Sequence, residues 1–270
     1  MSSTKFDLSI SEKMRKSITE KLRQTETNHD VRILFAIESG SRAWGFPSPD
    51  SDYDVRFVYA HPPDWYLSLT PGRDVIELPL DAVYDINGWD IKKALNLLLK
   101  PNPVLLEWLS SPIRYIWDDS LCAELVAFSQ TISHGQACLH HYLNLGERQF
   151  NLYIDGKERV NLKKYFYIVR PAMAIAWIRK HPDIIPPMNF QKLMVGLDLN
   201  TDVQMALKDL LLAKSHSKEV GLASRINVID DFIAAQFDWA HENASSVKAD
   251  KRDHLNQANT LFRSIIKFER

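Results

Sequence analysis

Two short runs carry residue types that could do chemistry: Gly40-Ser41-Arg42, and the pair Asp52 and Asp54. Side chains of a strand alternate between its faces, so Asp52 and Asp54 point the same way, roughly 6–7 Å apart at the backbone. Two carboxylates converging from that distance can share or bridge Mg²⁺ (or Mn²⁺), which takes hard oxygen ligands. A pair of such ions roughly 3.5–4 Å apart can activate an attacking hydroxyl and neutralise a triphosphate. The other face of the same run holds Tyr53, Val55, Phe57 and Tyr59 and suits a core. Gly40-Ser41 follows an apolar run, where backbone N–H groups become free. Glycine permits close backbone approach and Ser41 adds a hydroxyl, so this turn can cradle terminal phosphates. Arg42 can add a charge-assisted contact. Neither run alone is specific, but a strand, Gly-Ser, ten residues and then Asp-x-Asp opening a strand together form a much stronger signal.

These residues need elements to hold them. A first helix is expected from Ile10, Met14, Ile18 and Leu22, with Ser9 and Glu12 at capping-box spacing and a polar turn over Gln24 to Asp30. Val31 to Ile37 predicts a buried strand, Asp52 to Tyr59 a second one, and His61 to Asp74, with Pro62, Pro63, Pro71 and Gly72, an excursion from the sheet. Pro49 and Asp50 belong to the turn-rich loop before the second strand. Short strands are expected over Val75–Leu78 and Ala82–Ile86, joined by a turn at Pro79 to Asp81. Ile91, Ala94, Leu95, Leu98 and Leu99 form a helical stripe, and Asn102-Pro103 starts another helix. From about Asp118 onward only helical patterns are expected. The fold class is thus α+β: a small mixed-sheet domain with flanking helices over residues 1–117, then an all-helical domain over 118–270.

The sequence resembles the DNA polymerase β superfamily of nucleotidyltransferases, and within it the RNA-repair-associated RlaP-type family. The resemblance rests on Gly40 to Gly45 with Asp52-Tyr53-Asp54, then Gly88-Trp89-Asp90, Asn102-Pro103 with Glu107-Trp108, and Lys163-Lys164-Tyr165 with Arg170-Pro171. It spans roughly residues 30–190. It implies a third metal-holding carboxylate on a later strand, for which Asp85 in Val83-Tyr84-Asp85-Ile86 is the choice, with Asp81 and Asp90 as fallbacks. Asp90 also suits a helix N-terminus, where its charge favours the dipole. What the resemblance implies is transfer of a nucleoside monophosphate from a nucleoside triphosphate to an acceptor hydroxyl, with release of pyrophosphate. Asp52, Asp54 and Asp85 would hold two divalent ions, and Gly40, Ser41 and Arg42 would seat the phosphates. An RNA end is the implied acceptor; a protein or small-molecule hydroxyl are rivals, as is a non-catalytic interaction protein on the same fold. Clustered acids are costly to keep without a counter-ion, which argues against the last.

Lys163, Tyr167 and Arg170 follow i, i+4, i+7 spacing and share a helix face. The functional expectation is a nucleotide-binding wall facing the triphosphate or base across an interdomain cleft, with Pro171 bending the helix just beyond. A solvated face fits the same spacing. Asp50, Ser51 and Asp52 likewise fit ordinary turn residues ahead of a strand. Trp44 suits base stacking or loop packing, Glu107 a solvated or structural place, and His134, His140 and His141 show no metal-ligand spacing.

Composition sets the outer limits. The chain has 270 residues, 45% hydrophobic and 25% charged, which excludes disorder and a disulfide scaffold. Cys122 and Cys138 are in neither metal nor redox spacing, no apolar run reaches a membrane span, and Met1 to Asp7 lacks a signal peptide's apolar region. A cytoplasmic protein with no membrane partner is expected. The net charge of −1 excludes a uniformly basic nucleic-acid binder, but it averages opposites: residues 140–180 hold eight basic against three acidic side chains.

Overall fold

The structure, a computed structural model, describes residues 8–48, 51–70, 72–100, 102–216, 222–247 and 252–267. Met1 to Asp7, Pro49, Asp50 and Pro71 lie outside the described residues. In chain order the elements are α1 (Glu12–His29), β1 (Arg32–Glu38), α2 (Gly40–Ala43), β2 (Tyr53–Ala60), α3 (Pro63–Tyr66), β3 (Val75–Glu77) and β4 (Tyr84–Asp90). Next come α4 (Ile91–Leu99), α5 (Pro103–Leu109), β5 (Arg114–Trp117) and α6 (Asp119–Gln130). The remainder are α7 (Gly135–Tyr153), β6 (Arg159–Asn161), α8 (Leu162–Lys180), α9 (Phe190–Gly196), α10 (Thr201–His216), β7 (Leu222–Ser224), α11 (Asn227–Asn243) and α12 (Leu255–Ile266).

The chain divides into two compact units. One comprises Ser9–Ala43, Asp52–Ile132 and Lys251–Arg270; the other comprises Met1–Leu8, Trp44–Ser51 and Ser133–Asp250. The expected cut at 117/118 falls inside the first unit, which takes in α6 and α12 as well as the sheet. The loop after α2 groups instead with the helices.

The first unit is built on a mixed five-stranded sheet of order β3-β4-β2-β1-β5. β1 pairs antiparallel with β2 and with β5, whereas β2 and β4 are parallel. Parallel neighbours need a crossover, and the segment from His61 to Val83 supplies it, carrying α3 and β3 on the way. The period-two pattern of β2 works as expected. Val55, Phe57 and Tyr59 enter a core with Ile33, Ala36, Ile76 and Ile86, and Ile18 and Leu22 of α1 close over it. Each such side chain, fully buried, contributes about 1.5–3 kcal/mol. Burying this face fixes the register and commits the alternate residues of β2 to the opposite face.

Several expectations are corrected. Ser11, not Ser9, caps α1, accepting from the Met14 N–H at 3.3 Å. The polar stretch from Gln24 is helix through His29, because its polar side chains are satisfied on the helix itself: Gln24 donates to Glu20, and the Thr25 and Thr27 hydroxyls donate to carbonyls four residues back. β4 runs to Asp90 instead of ending at Ile86. Gly88 does not break it, since a Cβ there would meet the Phe57 ring at 2.3 Å and the missing side chain is room for that ring. β5 was not expected, and a two-stranded antiparallel ribbon of β6 and β7 interrupts the helical second half. Strands of three or four residues are too short for a period to show.

The second unit centres on α8, whose Tyr165, Phe166 and the whole run Ile168–Ile175 are buried; a helix apolar on most sides belongs inside a bundle. It continues through Pro171 to Lys180, and α7, α9, α10 and α11 pack around it. Phe46 stacks on Phe166 with ring centroids 4.4 Å apart and meets Phe190 edge-on at 5.5 Å. The Phe190 N–H donates to the Trp44 carbonyl at 2.8 Å.

Candidate active site

β1 delivers Glu38, fully buried, directly ahead of Ser39 and Gly40. The Ser39 N–H donates to the Asp54 carbonyl at 2.7 Å, tying the start of the Gly-Ser turn to β2. Gly40 has φ +56°, and a Cβ built on it would lie 1.7 Å from Asp54 Oδ2. Glycine is needed here twice over, for the left-handed backbone and because the Asp54 carboxylate occupies the space a side chain would take. The expected juxtaposition of Gly-Ser with Asp-x-Asp is therefore a direct packing contact.

Asp54 and Asp85 are register partners on the parallel pair β2 and β4. Arg56 joins them: its Nη2 donates to Asp54 Oδ1 at 3.2 Å and to Asp85 Oδ2 at 2.7 Å. Its Nη1 donates to the Asp85 carbonyl at 2.8 Å and the Val55 carbonyl at 3.1 Å. Burial pushes the Asp54 carboxyl up to about 6; Arg56 opposes this, while the Asp52 and Asp85 charges add to it. Glu38 is pushed up to about 7, again mainly by burial, against the pull of a Tyr115 hydroxyl hydrogen bond and the Arg42 charge. Glu38 accepts from Tyr115 Oη at 2.6 Å and from the Asp54 N–H at 3.3 Å. Burial thus raises the proton affinity of two neighbouring carboxyls, one at the end of β1 and one on β2.

Asp52 is exposed, just ahead of β2 and near enough to Asp54 to raise its pKa. Arg42 is turned inward, with Nε 3.6 Å from Glu38 Oε1 and its guanidinium 4.4 Å from the centre of the Tyr53 ring. The fallback acids are occupied elsewhere. Asp81 accepts from the N–H groups of Val83 and Tyr84, both at 2.7 Å, and so fixes its own turn. Asp90 caps α4 through the Lys92 N–H, as expected, and accepts from Tyr66 Oη at 2.7 Å.

The donor chemistry at Asp54 and Asp85 fits a divalent cation, since these two carboxylates already share one cationic group. Among the described residues, three or more His, Cys, Asp or Glu side chains do not gather on a single metal position. Asp52 lies exposed just ahead of β2, and Arg56 stands between Asp54 and Asp85.

Lys163, Tyr167 and Arg170 belong to the helical unit. Arg170 is buried within it: Nε donates to the Met188 carbonyl at 3.2 Å and the guanidinium lies 4.8 Å from the Trp44 ring. Tyr167 is 40% exposed, edge-on to Trp44 at 5.9 Å, and Lys163 is half-buried at the start of α8. The shared helix face is real in spacing but not in exposure. Glu107, read as solvated or structural, is buried, and its neighbour Trp108 packs on Trp89 with ring centroids 4.0 Å apart.

Sequence reasoning missed Glu38 and Arg56. Arg56 was within reach, because the alternation that pairs Asp52 with Asp54 puts it on the same face. Glu38 had a weaker signal, an acid at the end of an otherwise apolar run.

The chain belongs to the RlaP family, described as the RNA repair pathway DNA polymerase beta family, whose model matches residues 14–264. It is thus an enzyme of the nucleotidyltransferase class. It is 42% identical over 248 residues to an uncharacterized protein, YcgL, of Bacillus subtilis (strain 168), covering 92% of this chain and 95% of that one. Among solved structures it matches a nucleotidyltransferase-like protein from Exiguobacterium sibiricum 255-15, with a TM-score of 0.29 and 10% identity over 94% of this chain and 81% of that one, a likeness too distant to add to the assignment. No helix among the described residues is long and apolar enough to cross a membrane.

Proposed function

We propose that the protein transfers a nucleoside monophosphate from a nucleoside triphosphate to an acceptor hydroxyl, releasing pyrophosphate. The observation that carries this reading is the pairing of Asp54 with Asp85 in register while Gly40 packs against Asp54. Bound divalent metal, Mg²⁺ or Mn²⁺, would be held by Asp54 and Asp85 with Asp52 at the strand entrance, and would neutralise phosphate charge. Gly40 and Ser41 seat the β- and γ-phosphates with backbone N–H groups and a hydroxyl. Arg42, held by Glu38, adds positive charge beside that turn. The acceptor oxygen attacks the α-phosphorus, the bond to the pyrophosphate oxygen breaks, and the acceptor's proton passes to Asp85. Rate acceleration then comes mainly from positioning and fixed charge. Arg170, in the helical unit, is assigned to the packing of its own unit.

An RNA end is the favoured acceptor. The family's description supports it, and so does the basic excess over residues 140–180, which suits a polyanion. A cytoplasmic enzyme would meet that substrate. The test is incubation with each α-labelled nucleoside triphosphate, Mg²⁺ and total cellular RNA or protein. Label entering RNA supports the reading, label entering protein moves the acceptor to that class, and transfer undiminished in folded Asp52→Ala sinks the assignment of the acidic site.

A further inference from the structure

Arg56 is a charged member of this cluster that the transfer chemistry above leaves without a task; Asn87, whose Nδ2 donates to Asp85 Oδ1 at 3.3 Å, is a neutral second partner of Asp85. It lies on β2 two residues past Asp54, so it shares that acid's face, and its side chain is only 16% exposed. Its two terminal nitrogens divide the work. Nη1 is spent on two backbone carbonyls, Val55 and Asp85, which anchor the guanidinium plane on both strands at once. Nη2 is spent on one carboxylate oxygen from each strand, Asp54 Oδ1 and Asp85 Oδ2. A single positively charged nitrogen thus holds one oxygen of each carboxylate, the ligand type that a divalent cation would also take. The guanidinium carries one charge, delocalised over a planar fork, where a divalent ion would bring two at a point.

We infer that Arg56 is a positioning residue that acts as an internal counter-ion: Nη2 holds Asp54 and Asp85 in place in the metal-free protein and gives way when a divalent cation binds. This rests on the reading of Asp54 and Asp85 as metal-holding acids. Its consequence is opposite in sign to what damage to a site produces. Like-charged carboxylates on adjacent strands repel when nothing lies between them, so the resident cation stabilises the empty arrangement. For the same reason it competes with an incoming ion and lowers the affinity of the site. Removing it should weaken the metal-free fold and tighten metal binding together.

The experiment is a Mn²⁺ titration of the full chain without nucleotide, following free Mn²⁺ by electron paramagnetic resonance and, in parallel, the melting temperature. Wild type, Arg56→Gln, Arg56→Lys and the double variant Asp54→Asn/Asp85→Asn are compared. Arg56→Gln is expected to bind Mn²⁺ about fivefold or more tightly than wild type, the scale of one lost competing ion pair. It should also melt lower without metal and gain a larger melting shift with it. Arg56→Lys keeps the charge but loses the fork, so its affinity should fall between the two and serves if the glutamine variant does not fold. Wild-type binding with equal or weaker binding in both Arg56 variants overturns this inference and leaves the metal-holding acids standing. Binding retained in the double aspartate variant, or absent from every protein including Arg56→Gln, overturns the metal reading and this inference with it. Binding by Arg56→Gln where wild type binds none supports it in its strongest form.

Discussion

β2 and β4 lie side by side in parallel and carry an aspartate towards each end of their pairing: half-buried Asp54, opposite Asp85, and buried Asp90, opposite Tyr59. Burial pushes both carboxyls up. Their surroundings differ in kind. Asp90 is satisfied by neutral donors, the Lys92 N–H at the start of α4 and the Tyr66 hydroxyl, so its charge closes a helix and locks a loop. Asp54 faces a second carboxylate and shares one arginine with it, and a glycine is cleared to make space beside it. A buried acid whose lone pairs are filled by backbone and hydroxyl groups is structural. One that shares a single counter-charge with a like-charged neighbour keeps electrostatic demand to spare, and an incoming cation can meet that demand.

Substitution at the two ends should give opposite outcomes. Asp54→Asn and Asp85→Asn are each expected to cut nucleotide transfer by about 10³-fold or more while leaving the protein folded, because they remove charge used in the transition state. Asp90→Ala should instead cost about 2–3 kcal/mol of stability, from a lost helix cap and an orphaned Tyr66 hydroxyl, with transfer per folded molecule kept. Chemical denaturation alongside a labelled-nucleotide assay reads both. If Asp90→Ala loses transfer while remaining folded and stable, the division between the two ends is mistaken.

Gly40→Ala comes next in size. Its methyl cannot share the space of Asp54 Oδ2, so the carboxylate has to move, and a misplacement of about 1 Å is worth about 10²-fold in rate. Stability should fall by only about 1–2 kcal/mol, the cost of an alanine at positive φ. A variant that keeps wild-type transfer would mean that Asp54 is not held where the turn needs it.

The pH dependence follows the raised carboxyls, Asp90 included, and so does not separate the two ends. Burial pushes Glu38 up to about 7 and Asp54 up to about 6 in the fold, above their ordinary values. The folded state therefore binds more protons than the unfolded chain between about pH 4 and 7, and the stability owed to these groups falls as pH rises through that window. In metal-free buffer the melting temperature should drop from pH 5.5 to 8. Glu38→Gln should flatten that slope by an amount worth no more than about 3 kcal/mol. A wild-type profile that climbs with pH, or one that Glu38→Gln leaves unchanged, contradicts the origin assigned to these shifts.

What was legible in the chain follows from how local each signal is. β2 announced itself because one of its faces is aromatic and buried, which makes the period of two visible and puts Asp52 and Asp54 together. Asp85 was legible as an acid between apolar neighbours on a strand. Arg56 was not, because its meaning depends on a partner 29 residues away, and alone it passes for an ordinary charge on the polar face. Glu38 owes its burial and its hydrogen bond to Tyr115, 77 residues later, which no window around it contains. The end of α1 was misread because side chains that bond back to their own helix look, in sequence, like a polar turn. Arg170 shows the limit of helical spacing: i, i+4, i+7 establishes a common face without saying that one member of it is buried.

The smallest expected effect tests the choice among the acids of the later strand. Asp81 lies four residues before Asp85, and its side chain accepts two backbone N–H bonds within its own turn, which lowers its pKa. An exposed carboxylate bonded in this way has no lone pairs aimed at the Asp54 cluster, and an asparagine side chain can keep part of the same pattern. Asp81→Asn should therefore leave transfer within about twofold of wild type and barely move the melting temperature, as is usual for a surface change. Asp85→Asn, on the same strand pair, is expected to lose transfer outright. Equal losses in the two variants would break the assignment of the third acid, since they would mean that the turn before β4, and not the register of Asp85 with Asp54, is what the reaction depends on.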